Sequence, residues 1–119
     1  MDESDGYRIL VGGYRGNAGD PFHSMSYDMR MQSMRFSTFD SDNDLDNGGN
    51  CALTFTSGWW FNKCFQINLN GVWYSSSRYA GPSMNGIVWD LWTEHFKGYS
   101  LRHTEMKLRP ADFHVKRRS

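Results

Sequence analysis

Four aspartates alternate with other residues in "FDSDNDLD": Asp40, Asp42, Asp44 and Asp46. Like charges this close repel one another, so the segment needs either a neutralising cation or full solvation. Oxygen ligands at every second residue suit a hard cation, Ca²⁺ ahead of Mg²⁺. The spacing is not that of an EF-hand, which needs glycine at its sixth position and an acid at its twelfth. Counted from Asp40 those positions are Leu45 and Cys51; counted from Asp42 they are Asn47 and Leu53. Two readings stand: a calcium loop of another kind, which the alternation favours, or a solvated turn held by local Asx hydrogen bonds.

The other reactive residues are sparse. Cys51 and Cys64 are the only cysteines, too few for a structural zinc site and wrongly spaced for a redox motif. They are a disulfide in an extracellular protein or a pair of reduced core thiols, and composition does not choose. His23, His95, His103 and His114 are scattered without metalloprotease or triad spacing. Cys64 as a nucleophile would have no histidine in its own segment. Catalysis is not expected. The glycine-rich "GGYRGNAGDP" lacks the Gly-Lys-Ser/Thr ending of a phosphate loop and reads as a plain loop.

The elements that must position these residues are short. "YRILVGGY" (7–14) is β-branched and aromatic and predicts a strand entering a glycine turn. Methionines at 25, 29, 31 and 34 fit neither helical nor strand spacing and suit gap-filling in a core. Asn70-Gly71 is a hairpin-type turn signal. "GYSLRHTEMKLRP" (98–110) alternates and predicts a last strand. No internal repeat is present, and no helix longer than about three turns is expected.

Thirteen acids balance thirteen bases, so bulk charge points to neither nucleic acid nor an acidic membrane. Aromatics make up 16% of the chain while Leu, Ile and Val are scarce, which implies a core of large rings joined by irregular segments. At 119 residues one small domain is expected. No window approaches the ~18 apolar residues that span a bilayer. "MDESDGYRIL" has neither the basic region nor the apolar stretch of a signal peptide.

"FSTFDSDNDLDNGGNCA", "GWWFNKC", "NLNGVWY", "NGIVW" and "YSLRHTEMKLRPADF", in that order, resemble the C-terminal part of fibrinogen-related domains. This family includes fibrinogen chains, ficolins, tachylectins, tenascins and angiopoietins. "YRILVGGYRGNAGDPF" matches the strand and loop that precede these motifs, so the resemblance spans nearly the whole chain. A complete domain of the family is longer, and the missing part is N-terminal.

The resemblance implies an α+β, loop-rich fold with short strands, few short helices and one disulfide. It divides the chain into the end of a central sheet subdomain (1–36), a calcium- and ligand-binding subdomain (37–98), a return strand (99–112) and a basic tail (113–119). It assigns calcium to the carboxylates of Asp42 and Asp44 and to the carbonyls of Asp46 and Gly48. One residue more than the commonest spacing precedes Cys51. It joins Cys51 to Cys64 and places a cis peptide at Lys63-Cys64. The family's ligand pocket lies beside that peptide, here Phe55, Lys63, Cys64, Phe65 and Tyr79.

Lectin members usually carry histidine where this chain has Phe65. The acid and amide with which fibrinogen holds a peptide amino terminus correspond to Phe55 and Thr54. The cup for an acetyl methyl can survive, but its polar anchors are replaced. The resemblance thus implies a secreted, non-catalytic, calcium-dependent module that binds a receptor or matrix protein, part of an oligomer in the full-length protein. The alternative is a lectin of innate immunity that reads acetylated glycans. Tyr79, Arg78 and Trp73 are candidate hot spots, although core packing is the favoured role for Trp73 and an equal alternative for Tyr79.

Overall fold

The computed structural model describes residues 2–23, 27–79, 84–93 and 98–110. Its centre is made of rings. Trp59 and Phe61 are fully buried and sit with Phe65, Ile9, Met31, Cys51, Ala52, Ile67 and Val88 in one cluster. Each large ring removes roughly 150–250 Å² from water, worth ~4–6 kcal/mol, so a few of them supply most of the driving force. Of the methionines, Met31 is in this core, Met29 and Met34 are half-buried, and Met25 lies outside the described residues.

Regular structure around the rings is brief. A 3₁₀ turn, Glu3–Asp5, is followed much later by helix α1, Cys51–Phe55. Asn50 caps α1, its side chain accepting from the Leu53 N–H at 3.1 Å. The helix stops at Thr56, whose left-handed backbone (φ 59°) turns the chain away. Strands β1, Ile67–Asn68, and β2, Val88–Trp89, pair antiparallel, with Ile67 opposite Trp89 and Asn68 opposite Val88. Helix α2, Asp90–Thr93, follows directly, and its first N–H donates to the Gln66 carbonyl at 2.7 Å.

Because sheet and helix satisfy so few backbone groups, side chains do the rest. Buried Asn62 donates from Nδ2 to the carbonyls of Tyr27 (2.7 Å) and Arg30 (2.8 Å), holding the 27–30 turn against the core. The indole of Trp60 donates to the Tyr7 carbonyl at 2.8 Å, and that of Trp89 to the Ala18 and Gly19 carbonyls at 3.0 Å. Ser37 and Trp59 exchange both backbone bonds, at 2.9 and 3.1 Å.

Three strand expectations need correction. Residues 7–14 form no strand: Ile9 donates to Met34 O and accepts from Ser33 N, and the ladder goes no further. The Asn70-Gly71 turn is present, with Gly71 N donating to Asn68 O, but it does not close a hairpin. Val72 bridges Gly86 in parallel instead, and the partner of β1 is β2. Residues 98–110 make a single bridge, Tyr99 with Arg78, and Leu101 N donates to Ile87 O; the remainder joins no ladder among the described residues. Strand-forming side chains need a facing strand to pair with, and each of these two segments meets its neighbours at only a few isolated backbone bonds.

Candidate functional site

The acidic loop begins at a tight turn in which Thr38 and Ser41 exchange backbone hydrogen bonds at 3.1 and 3.0 Å. The turn puts Asp40 beside Thr38, whose hydroxyl donates to Asp40 Oδ1 at 2.7 Å. Asn43 then anchors the loop to the core edge. Its N–H donates to Ser37 Oγ and its Nδ2 to the Phe36 carbonyl, both at 2.9 Å.

Two successive Asx turns shape the chain from Asp42 to Asp46. Asp42 Oδ1 accepts from Asp44 N at 3.2 Å, and Asp44 Oδ1 accepts from Asp46 N at 2.9 Å. Asp44 Oδ2 also accepts from the N–H of Cys51 at 2.9 Å. The carboxylates of Asp42 and Asp44 are thereby gathered together. Partial burial, first, and the neighbouring Asp42 carboxylate raise the Asp44 pKa above the ordinary aspartate value, against the pull of its backbone donors. Among the described residues no basic side chain pairs with either acid. Fixed oxygens, excess negative charge and a partly buried carboxylate make a set that fits a hard cation.

Asp46 turns its carbonyl to the Gly49 N–H at 3.2 Å, and Gly48 is exposed. The Asp46 carboxylate lies within 4.8 Å of the Cys51 and Cys64 sulfurs. Those sulfurs are joined to each other with Cα atoms 5.7 Å apart, so no thiolate is left to ligate a metal. The disulfide that the resemblance implied is therefore present. The Lys63-Cys64 peptide is cis, as the resemblance also implied.

Of the pocket residues, Phe55 and Phe65 meet edge to face at 4.8 Å, and Phe65 also touches Phe61. Phe65 is only 7% exposed. Lys63 points to Asp28, 3.7 Å away, and its N–H donates to the Asp28 carbonyl. Tyr79 is braced on Gly98, donating its N–H to the Gly98 carbonyl and accepting from the Gly98 N–H at its hydroxyl, 3.1 Å. Arg78 is exposed. Trp73 is 56% exposed, its indole donating to the Arg102 carbonyl at 3.1 Å, which corrects the core packing favoured for it. His23 pairs with Asp20 at 3.1 Å and His103 is exposed; His95, His114 and the basic tail lie outside the described residues.

Sequence reasoning missed Asn43, Asn50 and Asn62, the side chains that build the loop and its supports. Asn50 left a signal: an N-cap residue immediately before "CALT". Asn62 left none, because its acceptors, the Tyr27 and Arg30 carbonyls, lie far along the chain; Asn43 left none because its bonds back to Phe36 and Ser37 follow no capping pattern.

The family description "Fibrinogen beta and gamma chains, C-terminal globular domain" matches residues 1–111. Human fibrinogen-like protein 1 is 46% identical over 117 residues, covering 94% of this chain and 36% of that protein. Human angiopoietin-related protein 6 is 42% identical over 110 residues, covering 91% of this chain and 21% of that protein. The fibrinogen-like globe domain of human ANGPTL6 superposes with a TM-score of 0.72 at 38% identity, over 86% of this chain and 42% of that one. Lamprey fibrin D-dimer, complexed with the peptide Gly-His-Arg-Pro-amide, also gives 0.72, at 29% identity, over 97% of this chain and 41% of that one. This chain thus spans about a third or less of the whole relatives named here. It belongs to the family of fibrinogen C-terminal globular domains.

Proposed function

We propose that this chain is part of an extracellular, non-catalytic recognition module that depends on calcium and takes a protein as its ligand. The observation that carries the reading is Phe65, packed edge to face on Phe55 and buried against Phe61. An acetyl group must be held by a donor to its carbonyl oxygen as well as a cup for its methyl, and a ring at this position supplies only the cup. Burying a sugar's polar groups against rings without partners is costly. A protein surface matches rings and exposed aromatics such as Trp73 better. The lamprey fibrin neighbour, complexed with a peptide, is in keeping with this, and the disulfide favours an oxidising compartment.

Calcium would be held by the carboxylates of Asp42 and Asp44 and the carbonyls of Asp46 and Gly48, with waters completing a shell of oxygens. The ion would neutralise the loop and tie it to the start of α1. No residue set in the described chain invites a covalent step, and the two sulfurs are already bonded.

The test is a panel of acetylated sugars set beside a pull-down from extracellular extract, each in calcium and in chelator. Acetyl-dependent binding should be weak or absent, protein capture should require calcium, and Phe65→His should improve sugar binding. Tight acetyl-dependent binding by the unaltered protein would overturn the reading in favour of a lectin.

A further inference from the structure

A cavity of about 500 Å³ opens between the 38–41 turn and helix α1, lined by none of the residues that the resemblance assigns to the ligand pocket. Phe39 contributes one wall and Leu53 another, and they are 68% and 64% exposed. Two large apolar side chains held out to solvent on a shared hollow are the kind of surface that a ligand covers. Buried Ala52 lies behind them, and Gly58 adds backbone without bulk.

One side chain fixes both walls. Asn50 donates from Nδ2 to the Phe39 carbonyl at 2.9 Å while its Oδ1 accepts from the Leu53 N–H at 3.1 Å. The hollow is therefore set before any ligand arrives, which lowers the ordering cost of binding.

Its charge is one-sided. Asp40 is the only ionisable residue that lines it among the described residues. The Thr38 hydroxyl engages one oxygen of that carboxylate and orients it. Between Arg35 and Lys63 the sequence holds four acids and no base. An occupant must therefore carry an apolar stem and a cationic end. Arginine meets this better than lysine, since its flat guanidinium stacks on a ring such as Phe39 and pairs with a carboxylate through two N–H groups.

We propose that this hollow receives an arginine side chain of a protein partner, its stem between Phe39 and Leu53 and its guanidinium on Asp40. The proposal rests on the reading of the chain as a protein-recognition module and names the chemistry of one contact.

The experiment is a titration of the isotope-labelled 119-residue chain in calcium, followed by amide NMR shifts. The probes are acetyl-Leu-Arg-amide and its neutral isostere acetyl-Leu-citrulline-amide. Shifts should centre on Phe39, Asp40, Leu53 and Gly58, and the arginine probe should bind about threefold to fivefold tighter, the range of an exposed ion pair. Asp40→Asn should remove that preference, and Leu53→Ser, at an exposed position where folding is not at stake, should weaken both probes. Equal affinity of the two probes, a preference that survives Asp40→Asn, or shifts centred elsewhere would overturn the proposal. No partner is needed for this measurement, so a negative result leaves the protein-recognition reading to its own sugar and pull-down assay. Sugar binding there would overturn that reading without touching the probe titration.

Discussion

The carboxylate of Asp44 accepts a hydrogen bond from the backbone N–H of Cys51 at 2.9 Å, so a single side chain joins the acidic loop to both α1 and the disulfide. Whatever neutralises Asp44 should therefore stabilise more than the loop. Without a cation its charge is a liability: burial and Asp42 raise its pKa, so its contribution to stability falls as pH climbs from the ordinary aspartate value through the raised one. A ligand that binds only the folded form adds RT ln(1 + [L]/Kd), ~2.7 kcal/mol at a hundredfold excess, or roughly 10 °C in a domain of this size. Calcium should raise the melting temperature of the parent by about that much over chelator. Asp42→Ala and Asp44→Ala should abolish the difference, while Asp40→Asn should keep most of it. Asp44→Asn keeps one acceptor oxygen where Asp44 uses two, for the Asp46 and Cys51 N–H groups, so it should melt below the parent and gain nothing from calcium. Identical parent melts in both buffers would return the segment to a solvated acidic turn.

What could be read from the residues alone was the chemistry of short stretches. Alternating aspartates announced crowded charge, and the surplus of rings over aliphatics announced a core like that of Trp59, Phe61 and Phe65. The disulfide stayed open on spacing alone; pairing needed the resemblance. Local propensity favours strands at 7–14 and 98–110, but a ladder needs a facing strand along its length, and pairing stops after Ile9 in the first segment and after the Tyr99 bridge and Leu101 in the second. Large rings usually go to the core, yet the Trp73 indole is satisfied at the surface by the Arg102 carbonyl. The Asn50 clasp across Phe39 and Leu53 was illegible, since it depends on two loops meeting.

The bridge from Cys51 to Cys64, separated by 13 positions, closes a short loop over α1 and the tryptophan pair. The chain-entropy model assigns such a loop about 3 kcal/mol. Cys51→Ala with Cys64→Ala should lower stability by that order in calcium, read as a shift in denaturant midpoint. Peptide mass mapping of non-reduced protein should recover the linked pair; two freely alkylated thiols in protein from an oxidising compartment would refute the pairing's importance.

Thr56 ends α1 with φ at 59°, a conformation that a β-branched residue adopts at a cost. Glycine carries no such penalty. Thr56→Gly should therefore stabilise the domain by about 1 kcal/mol, read by chemical denaturation. Thr56 also borders the hollow beside Leu53, but the variant leaves Phe39, Leu53 and Asp40 unaltered, so the arginine-probe affinity should stay within about twofold. A loss of stability would mean that its side chain makes contacts worth more than the strain.

Gly71 and Gly86 meet where the chain turns back after β1. A Cβ on Gly71 would run into the Gly86 carbonyl, and one on Gly86 would lie 2.6 Å from Ser100 Oγ. That close approach permits the parallel bridge from Val72 to Gly86, in which Val72 N donates to the Asn85 carbonyl at 2.8 Å. The same Ser100 hydroxyl oxygen accepts from Ile87 N at 2.9 Å, so displacing it would strand a buried donor next to β2. Backbone against backbone cannot give way as a flexible side chain can. Gly71→Ala should destabilise by roughly 1–3 kcal/mol, whereas alanine at Gly12, which faces open space, should change stability by less than ~0.5 kcal/mol. Thermal melts of the two variants in calcium decide it, and equal melting temperatures would show that the 71–86 contact is looser than its geometry requires.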